Sequence, residues 1–202
     1  MNKMSSIGFD LDNTIIDYRL SANHYAQKIG IENIHSLPEL RKVLNGHNQE
    51  DDAWTRAQSW VYGEGLRFAT IQENLTAQLT RLKDLDFSVF VVSHKTEYGP
   101  KKYGSVAFVN LALEWLSASS LSSALSKNVN LFFEESRELK LERINRLKLN
   151  FFVDDLPEVL EDNLFPKETI GIHFREDSTS SRRATPAIGN FSQLTDLVTS
   201  YG

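Results

Sequence analysis

The sequence predicts an α/β protein: a Rossmann-like parallel sheet with helices on both faces, carrying a small helical cap. Three observations predict it. Short apolar runs of strand length recur along the chain, several of them ending in polar residues. From the second run onward they alternate with stretches of helical periodicity, the pattern of parallel strands joined by helical crossovers. Between the first and second runs lies far more helical chain than one crossover needs. At 202 residues the chain suffices for a core domain with a small insertion.

Each element follows from local chemistry. Ile7, Gly8, Phe9 and Leu11 make a buried strand that ends in Asp10, Asp12, Asn13 and Thr14. After Ile15-Ile16-Asp17-Tyr18 the strand pattern stops. Helices are expected from Ser21 to Ile29, Leu37 to Leu44 and Glu50 to Tyr62, with breaks near Gly30, Pro38 and Asn45-Gly46. Pro38 falls in the first turn of the second of these, where proline is tolerated. Ala53, Trp54, Ala57, Trp60 and Val61 recur at helical spacing as a packing face. This block, residues 18–62, is expected to be the cap, inserted into a core of 1–17 and 63–202.

Gly63-Glu64-Gly65 punctuates the chain, and a helix is expected from Leu66 to Asp84, striped by Ile71, Leu75, Leu79 and Leu82. Phe87 to Val92 is the second strand, ending in Ser93-His94-Lys95-Thr96. A loop rich in Gly, Tyr and Lys runs from Glu97 to Ser105, then a helix from Val106 to Ser126. Val129 to Phe133 is the third strand and Glu138 to Leu147 a helix. Phe151 to Val153 is the fourth strand, ending in Asp154-Asp155. Pro157 to Leu160 starts a short helix and Thr169 to Phe174 is the fifth strand. Arg175 to Pro186 reads as a polar loop and Phe191 to Val198 as a closing helix. There are no internal repeats.

Composition narrows the function classes. Hydrophobic residues are 41% and charged residues 24%, ordinary for a globular chain. A net charge of -5 disfavours a broad nucleic-acid face. The absence of cysteine excludes disulfides, thiolate metal sites and cysteine nucleophiles. The N-terminal residues carry neither a signal-peptide pattern nor a membrane span, so the expected location is the cytoplasm.

The chemistry concentrates at strand ends. Asp10 and Asp12 bracket the end of the first strand, and like charges that close need either a cation between them or a shared proton. A divalent metal and an acid–base division of labour are the two solutions, and both put chemistry at the carboxyl end of a strand. Asp154-Asp155, two adjacent carboxylates closing an apolar strand, again call for a compensating cation. Ser93 closes the second strand with a hydroxyl. Lys140 stands at a helix start, against the helix dipole, which suggests an anionic partner, whereas Lys148 near that helix's end is structurally welcome.

Asp10-Leu11-Asp12-Asn13-Thr14, Ser93 after its apolar strand, Lys140 and Asp154-Asp155 resemble, in order, the four motifs of the haloacid dehalogenase-like hydrolases. The helical block after the first motif resembles the cap that many members insert there. Ser93-His94-Lys95-Thr96 with the loop beyond is also similar to members associated with surface-polysaccharide biosynthesis. The resemblance implies that Asp10 attacks phosphorus to form an aspartyl-phosphate, with Asp12 as acid and then base. It implies Mg²⁺ held by the Asp10 carboxylate, the Asp12 main-chain carbonyl, Asp154 and Asp155. It gives Ser93 and Lys140 the phosphoryl oxygens. A carboxyl at Asp12 separates phosphotransfer members from dehalogenases.

Thr14 is expected to order the loop by hydrogen bonding. His94 and Lys95 are candidates to line the substrate entrance, though exposure on the loop is the stronger reading of both. Arg19, His24, Arg67, Lys101 and Lys102 are candidates for substrate recognition. The expected function is a Mg²⁺-dependent phosphatase acting on a small phosphorylated metabolite, a phosphosugar or a nucleotide. A phosphomutase or phosphotransferase with the same intermediate is the alternative, as is a catalytically silent binding protein. A signalling receiver domain fails on the order of its acidic residues.

Overall fold

The computed structural model describes residues 5–46, 52–124, 130–174 and 185–201. Along the chain run β1 (Ser6–Phe9), β2 (Ile16–Asp17), α1 (Arg19–Lys28), α2 (Leu37–Gly46), α3 (Ala53–Tyr62), β3 (Thr70–Ile71) and α4 (Leu75–Asp84). They are followed by β4 (Ser88–His94), α5 (Phe108–Ala118), α6 (Leu121–Ala124), β5 (Asn130–Glu134), α7 (Arg137–Leu147) and β6 (Phe151–Asp154). The last elements are α8 (Pro157–Leu160), β7 (Ile170–Phe174), β8 (Ala187–Ile188) and α9 (Leu194–Thr199). Short 3₁₀ turns occupy Glu64–Phe68, Lys101–Tyr103 and Phe191–Gln193.

The chain forms two compact units: residues 1–15, 71–95 and 120–202, and residues 16–70 with 96–119. The first holds a six-stranded sheet in the order β5-β4-β1-β6-β7-β8, every pair of neighbours parallel. Helices cover both faces, as an all-parallel sheet requires. Alternation along β1 shows how the faces are filled. Gly8 looks toward Leu149 and Phe152, within a cluster of Val92, Leu141, Ile144, Leu149, Phe152, Val159 and Leu160. Phe9 looks the other way, its ring 6.2 Å from Phe191, which stacks on Phe174 at 4.5 Å.

Gly8 marks a close approach. A Cβ there would lie 2.5 Å from Leu149 Cδ1 and 2.7 Å from Phe152 Cδ2. Valine favours strands in general, yet here it overpacks the middle of the central strand. Gly8→Val is expected to cost about 1–3 kcal/mol, lowering the melting temperature by about 2–4 °C per kcal/mol in a chain of this size. Calorimetry checks this; an unchanged melting temperature would show that the cluster can yield.

The second unit is mostly helical. α1 packs against α2, α3 and the turn at Glu64–Phe68, and α5 packs against α3 and the same turn. Tyr18 meets Tyr62 at 5.2 Å between ring centroids, and Tyr62 meets the edge of Phe108 at 5.7 Å. Ser21, buried in α1, donates to the Gly65 carbonyl at 2.9 Å.

Two expected helices differ, and one short strand is unexpected. The helix expected from Leu66 to Asp84 is a 3₁₀ turn, the strand β3, and then α4. Gln72 explains the break: its N–H donates to the Ile15 carbonyl at 3.0 Å and its side-chain amide to the Asn13 carbonyl at 3.1 Å. These bonds need extended chain here, and Asn74, at φ 65°, turns it into α4. The helix expected from Val106 stops at Ala118, where Ser119 donates its hydroxyl to the Leu116 carbonyl at 2.7 Å, a side-chain competitor to the helix ladder. β8 is a two-residue strand too short for any periodicity to announce. Glu50, Leu125, Ser126, Val129 and residues 175–184 of the expected loop lie outside the described residues.

Candidate active site

Register brings the carboxylates together. Phe9 of β1 pairs with Val153 of β6, so Asp10 and Asp154 follow side by side at the strands' carboxyl ends. The Asp10 N–H donates to the Val153 carbonyl at 2.8 Å, extending the ladder by one residue. Beyond it the loop turns through Asn13 at φ 60°, a conformation asparagine tolerates better than most residues. Asp10, Asp154 and Asp155 each offer a carboxylate oxygen within 4.8 Å of the others.

Lys140 fills the space between two of them. Ser136 caps α7, its Oγ accepting from the Leu139 N–H at 3.2 Å, and this places Lys140 in the helix's first turn. Its ammonium donates to Asp10 Oδ1 and Asp154 Oδ2, both at 2.6 Å, with the side chain 2% exposed. Lys148 instead ends the helix at φ 51°, an exposed residue. Asp154 is fully buried, and its other oxygen accepts from the Leu156 N–H at 2.9 Å.

The remaining expected residues divide. Thr14, fully buried, accepts the Asp155 N–H on Oγ1 at 3.1 Å and so ties the first loop to the end of β6. Ser93 is 1% exposed, and its Oγ has no hydrogen-bond partner among the described residues. A buried orphan hydroxyl costs about 1–3 kcal/mol, so a missing partner is worth seeking. His94 is exposed and its Nε2 donates to the Glu135 carbonyl at 3.2 Å. Lys95 is not on an exposed loop: it is 5% exposed, and its ammonium meets Asp12 Oδ2 at 2.8 Å. Arg19, His24, Arg67, Lys101 and Lys102 all belong to the second unit. There Arg19 pairs with Asp17 at 2.5 Å, His24 stacks on Phe68, Arg67 pairs with Glu64 and Lys102 with Asp52.

Electrostatics mark the cluster as unfinished. Burial pushes the Asp10 carboxyl up to about 7, with Asp154 and Asp12 adding repulsion, against the pull of the Lys140 ammonium. Burial, then the charges of Asp10 and Asp154, hold Asp155 well above the ordinary carboxylate range. Burial by itself would lower Lys140, but Asp10 and Asp154 more than reverse this and keep it charged. Four carboxylates (Asp10, Asp12, Asp154, Asp155) face two ammonium groups (Lys95, Lys140), a formal excess equal to the charge of one divalent cation.

The sequence did not single out Gln72 and His173, and it placed Lys95 at the substrate entrance rather than against Asp12. Lys95 had a signal: it shares strand parity with Ser93, and burial alternates from Ser93 to Thr96. Gln72 and His173, whose Nε2 donates to the Asp155 carbonyl at 3.0 Å, carry no local pattern that would have singled them out.

Known proteins resemble the chain as follows. No family model matches it. A protein of Bacillus cereus described as "Putative nucleotidase" is 24% identical over 200 residues, covering 95% of this chain and 96% of that one. Among solved structures, a "predicted phosphatase" from Clostridium acetobutylicum aligns with a TM-score of 0.63 and 15% identity, over 98% of this chain and 99% of its own. A haloacid dehalogenase-like family hydrolase from Streptococcus pneumoniae aligns at 0.64 and 11% over the whole of both chains. This chain therefore has the haloacid dehalogenase-like hydrolase fold, as the four sequence motifs led one to expect. No helix among the described residues is long and apolar enough to cross a membrane.

Proposed function

We propose that this chain is a Mg²⁺-dependent phosphatase that hydrolyses a small phosphorylated metabolite through an aspartyl-phosphate on Asp10. The observation that carries the reading is the convergence of Asp10, Asp154 and Asp155 within 4.8 Å, with Lys140 buried against the first two. A carboxylate nucleophile, hard oxygen ligands and a fixed cation are what in-line phosphoryl transfer requires. The nucleotidase description of the Bacillus cereus relative makes nucleoside monophosphates the first substrates to test, ahead of phosphosugars.

The donor set fits magnesium: it is all oxygen, and its excess charge is two. The Asp10 carboxylate, the Asp12 main-chain carbonyl, Asp155 and, directly or through water, Asp154 would hold the ion. When bound, Mg²⁺ supplies positive charge beside the phosphoryl oxygens and lessens their repulsion of the attacking carboxylate. Asp10 forms a bond to phosphorus while Asp12 gives its proton to the departing ester oxygen. Asp12 then takes a proton from the water that attacks phosphorus, and Asp10 is released with inorganic phosphate. The Ser93 hydroxyl and the Lys140 ammonium bind phosphoryl oxygens as charge spreads over them. The helical block at 18–62 would act as the cap, admitting a small substrate and limiting water.

The test joins turnover with metal binding. The purified protein should release phosphate from nucleoside monophosphates or phosphosugars with Mg²⁺ and not with EDTA. Because the raised carboxyls must lose protons to bind metal, Mg²⁺ should raise the melting temperature more at pH 8 than at pH 6. Without metal, the same groups make stability fall as pH rises from the ordinary carboxylate range through about 7. No release from any ester, with a Mg²⁺ effect indifferent to pH, would end this reading.

A further inference from the structure

The geometry points to Lys95 as the positioning residue for Asp12, pinning one carboxyl oxygen so that the other faces the leaving group. This rests on the phosphatase reading and adds to it a residue through which the acid–base step is aimed. Three features carry it. Lys95 follows directly on β4, and its N–H donates to the Glu134 carbonyl at 3.0 Å, so the ladder to β5 still holds its backbone. It shares a strand side with Ser93, and both are buried while His94 and Thr96 between and beyond them are exposed. The Lys95 ammonium, on a side chain 3% exposed, lies 2.8 Å from Asp12 Oδ2.

Burying an ammonium is costly, and ordering a lysine side chain adds an entropy cost of up to about 2 kcal/mol. For stability alone an apolar pair in place of both Lys95 and Asp12 would often serve at least as well. The carboxylate it meets is the one that most needs orienting. Asp12 lies past the end of β1, in a loop already turning through the left-handed Asn13, with its side chain 15% exposed. The terminal torsion of an aspartate is broad, so an ammonium donor at Oδ2 narrows the orientations that this carboxyl takes. An ammonium donor at Oδ2 is compatible with both states of the catalytic cycle. When Asp12 is protonated, Oδ2 is the carbonyl oxygen accepting from Lys95 and Oδ1 carries the proton. As the ester bond breaks, that proton passes from Oδ1 to the leaving oxygen, and the resulting carboxylate keeps its bond to Lys95. In the second half, Oδ1 takes the proton of the attacking water, restoring the start. No other reactant is needed.

This assignment separates Lys95 from a phosphate ligand. A residue that aims the acid matters in proportion to how badly the leaving group needs a proton. Lys95→Met, Lys95→Arg and Asp12→Asn are compared on an alkyl phosphate, which leaves as a basic alkoxide, and on p-nitrophenyl phosphate, which leaves without help. Lys95→Met should lower kcat/KM, which reports the leaving-group half alone, by roughly 10²-fold or more on the alkyl ester, within the span of general acid catalysis, and by far less on the aryl ester. Lys95→Arg should recover part of the loss, and Lys95→Met should add nothing to Asp12→Asn. Independently of turnover, the Lys95 ammonium should give a slowly exchanging NMR signal that Asp12→Asn removes, which keeps the pairing testable if Lys95→Met folds poorly.

Equal losses of kcat/KM on both esters, a raised KM at constant kcat, additivity with Asp12→Asn, or an ammonium signal indifferent to Asp12 would each overturn it. Failure of the phosphatase reading itself is distinct: the wild-type protein would then release phosphate from neither ester.

Discussion

Asp10→Asn is expected to lower kcat for phosphate release on the order of 10⁴-fold or more, as removal of a covalent nucleophile does. The amide keeps the shape of the carboxyl, so the loss is chemical. It cannot form the acyl-phosphate, and it gives Mg²⁺ a neutral oxygen in place of an anionic one. A merely damaged fold would also be inactive, but stability tells the two apart. Asp10 is pushed up to about 7, burial being the largest cause, so its ionised form costs the metal-free fold free energy at neutral pH. The asparagine carries no such cost. The metal-free variant should therefore melt no lower than the wild type at pH 8, and any wild-type disadvantage should fade toward pH 5, where Asp10 is protonated. The variant should also lose most of its thermal response to Mg²⁺. Turnover, calorimetry with and without Mg²⁺, and a pH series give the result. An active Asp10→Asn protein would remove Asp10 from the nucleophile's place.

That expectation could be framed from the sequence because strand ends are local. Ile7 to Leu11 and Phe151 to Val153 read as buried strands from composition and length, and the residues that follow a strand in a parallel sheet gather at one edge. Asp10, Ser93, Asp154 and Asp155 were legible for that reason, and so were the sheet and its helices. Lys140 was legible too, since a lysine in a first helical turn needs an anion to face. What escaped was non-local or depended on parity. Gln72 sits 59 residues from Asn13, the carbonyl it binds, and nothing in its neighbours marks it out. The helix expected from Leu66 to Asp84 failed for the same cause, because tertiary hydrogen bonds at Gln72 overrode a continuous apolar stripe. Lys95 was in view yet read with His94 as loop, since the apolar run had ended at Val92. The strand in fact runs on to His94, and its alternation carries Lys95 inward.

The heaviest structural penalty is expected at Lys140. Its ammonium is 2% exposed and holds Asp10 and Asp154, the latter fully buried, at 2.6 Å each. Lys140→Met fills nearly the same volume without the charge, leaving two carboxylates with no counterion in the metal-free protein. Removing one side of a buried ionic cluster costs about 3–5 kcal/mol, here roughly 6–20 °C in melting temperature at about 2–4 °C per kcal/mol. The pH dependence identifies the cause. In the wild type the lysine is held charged above its ordinary value, so its contribution is fully present at neutral pH and is lost only on strong alkalinisation. In the variant the penalty belongs to Asp10, already raised to about 7 while the lysine is present, so it should shrink as the pH falls from about 7 toward the ordinary carboxylate range and grow toward pH 8. Mg²⁺ should restore part of the stability, since a bound cation replaces the missing charge, but little of the activity, since no ammonium is left for the phosphoryl oxygens. Lys148→Met, at the exposed end of the same helix, should stay within about 0.5 kcal/mol of the wild type. If Lys140→Met melted like Lys148→Met at every pH, the buried carboxylates would have to be neutral already, and the charge excess that calls for a divalent ion would vanish with them.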